Sequence, residues 1–206
     1  GGIFLPLTKN VFEKSQGAVI CKSPNEIDEK KFIPSSRSFG FKKSVWQKVG
    51  GYSKHEIGGE DTKFVLNIIN QGYKMTITKK AVVYWRMRSF KNFLRQFYLY
   101  AKGEVRSGNL KFPQMRPVLV ASTIFPIYLL SLIFTFLFFR TIFLFLFFVP
   151  IVYLLYQGIK VAIKTKDIRG LYWGFILSFF KRFMYFSGIW IEALSNHKDI
   201  YKNENY

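Results

Sequence analysis

The chain of 206 residues is 50% hydrophobic and 19% aromatic, and its 31 Lys and Arg against 12 Asp and Glu give a net charge of +19. The aromatic content excludes a disordered basic tail, because such tails lack the apolar surface that offsets chain entropy. One Cys and two His exclude a disulfide framework and a four-ligand zinc site. Cys21 is therefore expected to be a small buried apolar residue.

Residues 1–117 are predicted to form a soluble unit in which helices and strands alternate. The segment from Lys43 to Val49 is predicted to be a short helix, because Gly50 and Gly51 follow it and glycine readily adopts the left-handed conformation that ends helices. Glu60 to Gln71 is predicted to be a second helix, since its apolar residues recur on one face.

Two strands and a third helix are predicted next. Polar and apolar residues alternate from Tyr73 to Ile77, and a β-rich apolar run extends from Ala81 to Trp85. Ser89 is then expected to cap a helix whose apolar residues follow helical spacing. This helix leads toward the apolar half of the chain.

Residues 118–160 are predicted to contain two membrane helices. The runs Leu119 to Phe139 and Thr141 to Ile159 carry no charge and are separated by Arg140 alone. At about 1.5 Å per residue, each run is long enough for a hydrocarbon core of about 30 Å. A buried helical hairpin of a soluble protein is the alternative, but nothing polar marks an outer face.

Lys and Arg residues predict the orientation of these helices. They are frequent before the first run, in residues 102–116, and after the second, in residues 160–169. This distribution predicts a multi-pass protein of the cell membrane whose two basic flanks and soluble unit face the cytoplasm, with Arg140 outside. The flanks are also expected to attract anionic lipids. A nucleic-acid partner is not expected, because the basic residues lie beside two apolar runs.

Residues 161–206 are predicted to form a basic loop, a further helix and a polar C-terminal tail. The apolar stretch Leu171 to Leu194 is interrupted by Lys181 and Arg182. On a helical wheel, its polar residues occupy one arc, which predicts an amphipathic helix lying in the membrane interface. A third membrane-spanning helix is the alternative. The residues of the polar arc are Ser178, Lys181, Arg182, Tyr185 and Glu192.

Two acidic residues are the first candidates for chemistry. Glu60 and Asp61 open a predicted helix directly after Gly58 and Gly59. Acids in the first turn of a helix also interact favourably with its dipole, which is the purely structural explanation. The functional explanation is a general base that accepts a proton from a substrate hydroxyl. Only one of the two adjacent carboxylates can readily face a given cleft.

A cationic group is the second candidate. Arg86, Arg88 and Arg95 precede or enter the third predicted helix, and Gln96 follows. Arginine beside a cleft suits an anionic leaving group such as a diphosphate, because its planar fork pairs with phosphate oxygens. A solvated or lipid-facing basic surface is the alternative.

Taken in order, the motifs resemble the C-terminal part of a membrane-bound family 2 glycosyltransferase, over about residues 1–110. A serine and arginine loop comes first, then a helix ending in Gly-Gly-aromatic, an acidic pair, a basic segment and membrane helices. The matching segments are Pro34 to Trp46, Val49-Gly50-Gly51-Tyr52, Gly59-Glu60-Asp61-Thr62, Arg95-Gln96-Phe97 and Tyr100-Ala101-Lys102-Gly103.

The resemblance implies a partial α/β catalytic domain of the GT-A (Rossmann-like) type, followed by transmembrane helices and the interfacial amphipathic helix. It implies inverting transfer of a sugar from a nucleotide-diphosphate sugar to a lipid-linked or polysaccharide acceptor, in cell-surface glycan synthesis. Asp61 resembles the general base and Glu60 its partner. Ser36, Arg37 and Ser38 resemble a loop that lines the sugar-binding cleft.

The sequence also departs from the family pattern. Arg95 and Gln96 lie where processive relatives carry a Gln-x-x-Arg-Trp motif, which is not reproduced here. The family's divalent metal, Mg or Mn, is implied, but its Asp-x-Asp ligands have no counterpart in the chain. We therefore expect the chain to be the back part of a longer enzyme and to be inactive alone. A non-catalytic basic membrane adaptor that binds anionic lipid or a partner protein is the alternative function.

Overall fold

The computed structural model describes residues 1–28, 32–52 and 58–195, and most of these residues are helical. Both strands are shorter than any of the α-helices, and the last three helices are the longest. In chain order the elements are β1 (Ile3–Leu7), α1 (Val11–Ile20), α2 (Lys43–Val49), α3 (Glu60–Asn70), β2 (Val82–Arg86), α4 (Phe90–Arg106), α5 (Arg116–Phe138), α6 (Arg140–Thr165) and α7 (Arg169–Leu194).

The two strands form a small parallel sheet, with Ile3 opposite Val82 and Leu7 opposite Arg86. Helix α1 packs beside this sheet, and its buried Gln16 side chain makes hydrogen bonds to the backbone just after β2. The Gln16 amide oxygen accepts from the Arg88 backbone amide at 2.7 Å, and the Gln16 amide nitrogen donates to the Arg88 carbonyl oxygen at 3.0 Å. This two-point contact fixes the chain between β2 and α4.

The predicted α/β GT-A (Rossmann-like) fold is wrong. A domain of that class has a mostly parallel sheet whose two faces are covered by helices. The described residues contain two short parallel strands, and helices make up most of the rest. Tyr84 of β2 is exposed, so one face of this small sheet is open.

The predicted strand from Tyr73 to Ile77 does not form. Its side chains do alternate between half-buried and exposed positions, as the sequence suggested. However, the hydrogen bonds that its backbone and Thr78 make within the described residues go to Ile68 and to the first residue of the chain. The Gly1 amino group donates to the Thr76 carbonyl oxygen, and the Thr78 amide donates to the Gly1 carbonyl oxygen. The alternation therefore reflects the partial burial of one side of this segment, which does not pair as a strand.

The helices of the first half agree closely with the sequence analysis. Helix α2 has the predicted bounds, and it ends at Gly50 with a φ of 89°, a conformation that glycine adopts without strain. Helix α3 ends one residue before the predicted Gln71. Helix α4 begins directly after Ser89 and extends to Arg106, although the Ser89 side chain makes no capping hydrogen bond.

Two helices are long and apolar enough to cross a membrane, Pro113–Phe138 and Arg140–Thr165, with mean hydropathies of 2.1 and 2.2. Phe139 alone separates them, so the turn lies one residue before the predicted position at Arg140. Most of their large apolar side chains are exposed on the protein surface. These surfaces have the composition that a lipid environment requires.

Helix α7 packs along α4, α6 and α1. Small residues allow the close approach: a Cβ atom at Gly174 would lie 2.9 Å from the Gly158 Cα of α6, and one at Gly188 would lie 2.7 Å from the Tyr98 carbonyl oxygen of α4. Ser178 and Glu192 of the predicted polar arc are buried against these neighbours.

The division of the chain into residues 1–117, 118–160 and 161–206 stays a prediction. The polar C-terminal tail lies outside the described residues from position 196 onward.

Candidate functional site

An aromatic cluster holds the serine and arginine loop against α3. The ring of Phe64, which is buried in α3, lies 4.9 Å from the ring of Phe41, 4.8 Å from that of Tyr52 and 6.2 Å from that of Phe39. These contacts attach both the loop before α2 and the Gly-Gly-Tyr segment after it to one face of α3. The first turn of α3 and the Ser36–Ser38 turn are thereby brought together.

Asp61 and Ser36 meet at this junction. The Ser36 hydroxyl donates to Asp61 Oδ2 at 3.2 Å, and the Ser36 backbone amide lies 3.5 Å from the same oxygen. The Thr62 backbone amide donates to Asp61 Oδ1 at 2.8 Å. Asp61 is only half-buried, so its carboxylate is oriented by the protein and still open to a ligand.

A glycine turn fixes the start of α3 on α4. Gly58 and Gly59 have φ values of 91° and 81°, and the turn lies so close to Gly103 that a Cβ there would be 2.7 Å from the Gly58 carbonyl carbon. Two side chains complete the attachment. Ser107 Oγ donates to the Gly58 carbonyl oxygen at 2.7 Å, and Asn109 Nδ2 donates to the Gly59 carbonyl oxygen at 2.9 Å.

A third carboxyl group, which the sequence analysis missed, lies beneath this turn. Glu104 of α4 accepts hydrogen bonds from Asn109 at 2.6 Å and from the Thr62 hydroxyl at 3.5 Å. Burial raises the pKa of Glu104 to about 7; the Asn109 hydrogen bond opposes this shift and the nearby Asp61 charge adds to it. Among the described residues, buried Glu60 Oε2 has no hydrogen-bond partner.

A sequence signal for Glu104 does exist. It continues the helical series of Phe93, Phe97 and Ala101, which form the buried face of α4. An acidic residue on an otherwise apolar helix face is unusual, because burying a charge is costly. That position could have identified Glu104 as a candidate.

Tyr100, which is not one of the predicted site residues, connects Arg37 to Gln96. Tyr100 Oη accepts from the Arg37 guanidinium at 3.2 Å and from Gln96 Nε2 at 3.0 Å. The guanidinium carbon of Arg37 also lies 4.6 Å from the centroid of the Trp85 ring. Arg37 directly follows Ser36 in the chain, and its guanidinium contacts Tyr100 and the Trp85 ring.

The remaining predicted residues do not join this group. The Ser38 carbonyl oxygen accepts from the Gly2 amide at 2.8 Å, which attaches the loop to the start of β1. Arg86, Arg88 and Arg95 are exposed, and within the described residues no hydrogen bond or ion pair connects their side chains to Asp61. A role for these three arginines therefore stays a prediction.

The described residues do not fit the divalent metal that the resemblance implies. No three His, Cys, Asp or Glu side chains in this part of the chain gather in the manner of a metal site. Both oxygens of Asp61 and both of Glu104 already accept hydrogen bonds from neighbouring protein groups.

No protein-family model, curated protein or solved structure matches the chain. The glycosyltransferase resemblance therefore stays a hypothesis, supported by the order of the motifs and by the contacts between Asp61, Ser36 and the residues around Tyr100.

Proposed function

We propose that the protein is a membrane-bound glycosyltransferase that moves a sugar from a nucleotide-diphosphate sugar to a lipid-linked or polysaccharide acceptor with inversion. The observation that carries the proposal is the hydrogen bond between Ser36 and Asp61, with Arg37 next in the chain. Ser36 and Asp61, which are distant in sequence, meet at one half-buried carboxylate.

In this proposal Asp61 is the general base. It takes the proton from the acceptor hydroxyl while the hydroxyl oxygen bonds to the anomeric carbon of the sugar. The bond from that carbon to the diphosphate breaks, and the nucleoside diphosphate leaves with the electron pair. Attack from the face opposite the leaving group inverts the anomeric configuration. Ser36 and the Thr62 amide orient the base.

Arg37 is the cation best suited to the departing diphosphate. Its guanidinium is exposed, and Tyr100 and the Trp85 ring restrict its orientation. A preoriented guanidinium stabilises negative charge as it develops on phosphate oxygens. Glu60 occupies the same helical turn as Asp61 and is its partner in the acidic pair.

We also propose that α5 and α6 cross the membrane with the site on the cytoplasmic side. The basic residues before α5 and at the end of α6 support this orientation. Cysteine accessibility tests it in a Cys21→Ser background. We expect a membrane-impermeant maleimide to label Arg140→Cys in intact cells and Lys166→Cys only after permeabilisation. The reverse pattern would refute the orientation.

The transfer activity is tested with membranes from cells that express the protein from its natural gene. Nucleoside diphosphate release is measured with a panel of nucleotide-diphosphate sugars. We expect Asp61→Asn to lower the rate by about 10²- to 10⁴-fold, the usual contribution of a general base. Asp167→Asn is the matched control, because Asp167 lies at the α6 to α7 turn and pairs with Arg169 on the surface.

Full activity in Asp61→Asn would remove Asp61 as the base. Absence of release with every donor, in membranes that contain the folded protein, would reject the transferase in favour of the non-catalytic membrane adaptor.

A further inference from the structure

A basic cleft of about 610 Å³ lies between the end of α1, the last turns of α6 and the middle of α7. Its volume is within the range of about 300–1,000 Å³ that is typical of small-molecule sites. None of the nine predicted site residues lines it. Its charged lining consists of Lys22, Lys160, Lys164, Lys181, Arg182 and the single acid Glu26.

Hydrogen bonds to the protein hold two of these cations, Lys181 and Arg182, in place without using all of their N–H donors. Lys181 Nζ donates to the Val19 carbonyl oxygen at 3.2 Å, and Arg182 donates to the Ser178 carbonyl oxygen at 2.9 Å and to the Tyr153 hydroxyl. A lysine has three N–H donors and an arginine five. Each of these side chains therefore retains donors for a ligand in the cleft.

The charges in the cleft are unbalanced. Lys164 Nζ lies 2.7 Å from Glu26 Oε2, which leaves four further cations without a carboxylate among the described lining residues. Burial and the neighbouring positive charge of Arg182 lower the pKa of Lys181 to about 8. Cations that are crowded in this way are stabilised by a bound anion.

The surroundings of the cleft favour an anion that is attached to a lipid. The cleft lies at the end of α6, one of the two helices that are apolar enough to cross a membrane. Ile163 on its border is 71% exposed, and Tyr156 and Tyr153 expose apolar rings on the same helix. An acyl chain could lie along this surface while the headgroup enters the cleft. Basic pockets at the cytoplasmic ends of membrane helices commonly hold anionic headgroups.

We infer that this cleft binds the phosphate headgroup of an anionic membrane phospholipid, with the cations of α6 and α7 contacting the phosphate. The site rests on the proposed membrane insertion of α5 and α6 and not on glycosyl transfer. It would join α1 of the first half of the chain to the membrane surface, because α1 lines the cleft with Val19, Ile20 and the residues that follow.

Native mass spectrometry of the protein, purified in a non-ionic detergent, tests the inference. The probes are phosphatidylglycerol, phosphatidylcholine and inorganic phosphate. We expect one phosphatidylglycerol to bind much more tightly than phosphatidylcholine, and millimolar inorganic phosphate not to displace it. Lys160→Gln and Lys181→Gln should each raise the Kd about fivefold, the effect of about 1 kcal/mol for a cation near a membrane surface.

Lys166→Gln is the matched control. It removes the same charge from the same end of α6, outside the cleft, and should leave the Kd nearly unchanged. Lys160 is exposed, so its variant keeps the test valid if Lys181→Gln fails to fold. Equal effects of Lys166→Gln and Lys160→Gln, equal binding of the two phospholipids, or displacement by inorganic phosphate would each overturn the inference. None of these readouts depends on transferase activity.

Discussion

Arg106 of α4 and Glu192 of α7 form a two-point ion pair. Arg106 Nε donates to Glu192 Oε1 at 2.6 Å, and the terminal guanidinium nitrogen donates to Oε2 at 3.2 Å. Lys102, one turn earlier on α4, places its Nζ 3.0 Å from the same Oε2. The Glu192 side chain is only 2% exposed. Burial alone would raise the pKa of Glu192, but the hydrogen bonds from Arg106 and Lys102 outweigh it and lower the pKa.

Removing the Glu192 carboxylate should weaken the attachment of α7 to α4, the helix that carries Glu104. Glu192→Ala removes the buried carboxylate to which Arg106 and Lys102 donate, so we expect stability to fall by about 3 kcal/mol, the lower end for breaking a buried pair. Thermal unfolding in detergent measures the change. Asp167→Ala, which breaks a surface pair with Arg169, should have little effect. Equal losses in the two variants would contradict the structural role of Glu192.

Helix α7 also shows what the sequence could predict. Its polar arc follows from helical geometry and is visible in the sequence. The partners of Glu192 lie more than eighty residues earlier and belong to another helix, and no local pattern reveals such a contact. For this reason the arc by itself predicts a helix in the membrane interface. In the structure, Ser178 and Glu192 of this arc are buried against the protein.

In the first half of the chain, too, local features could be predicted from the sequence and contacts between distant residues could not. The ends of α2 and α3 were predictable because glycines and apolar spacing act locally. The pairing of β1 with β2 joins segments about eighty residues apart, and Pro6 within β1 weakens any strand signal. The α/β domain was expected from the order of the motifs. That order indicates which functional residues lie near one another, but it does not establish the number of strands in the sheet. The motif order names Ser36 and Asp61 as separate candidates, and their hydrogen bond is visible only in the structure.

Gly103 should be intolerant of a side chain. In Gly103→Ala the new Cβ would lie 2.7 Å from the Gly58 carbonyl carbon and 3.0 Å from the Gly59 amide nitrogen. We expect the glycine turn to move away from α4 and stability to fall by about 1–3 kcal/mol, as in other overpacked positions. Alanine favours a helix over glycine by about 1 kcal/mol, so a loss would be due to the clash.

Thermal unfolding and donor turnover measure this effect together, because the displaced turn carries Glu60 and Asp61. Gly40→Ala is the control: no atom lies within 4 Å of its new Cβ. Unchanged stability and turnover in Gly103→Ala would show that the turn does not need this contact.

Glu104 should make stability depend on pH. Its folded pKa of about 7 lies above the value of about 4.3 for an unfolded glutamate, so the folded protein binds the proton more tightly between these values. Stability should therefore decrease as pH rises from about 4 to about 7, by up to about 3 kcal/mol. Among the described residues, the groups that interact with this carboxyl include Asp61, Thr62, Asn109 and, from α7, Tyr185.

Thermal unfolding at about pH 5 and about pH 8 compares wild type with Glu104→Gln, which should lose this pH dependence. Glu26→Gln is the contrasting variant. Hydrogen bonds from Lys164 and Ser23 lower the pKa of Glu26 to about 2. Its contribution is fully present above about pH 4.3 and is lost only as pH falls toward 2, so Glu26→Gln should keep the wild-type change in stability between about pH 5 and about pH 8. An unchanged pH profile in Glu104→Gln would refute the assignment.

Tyr100 should matter through its hydroxyl, which accepts hydrogen bonds from Arg37 and Gln96. Gln96 is only 4% exposed, so Tyr100→Phe leaves a buried amide without its acceptor and should cost about 1–3 kcal/mol. The double variant Y100F/Q96M removes both partners and should recover most of this loss. Tyr84→Phe is the control, because Tyr84 is 63% exposed.

Tyr100→Phe and the double variant also separate the effect of the Tyr100 hydroxyl on stability from its effect on donor binding. In Tyr100→Phe and in the double variant, Arg37 loses one of its two anchors and retains only the Trp85 ring. If Arg37 contacts the diphosphate, KM for the donor should rise in both variants while stability recovers in the double variant alone. A KM that returns to the wild-type value with stability would assign Tyr100 a purely structural role.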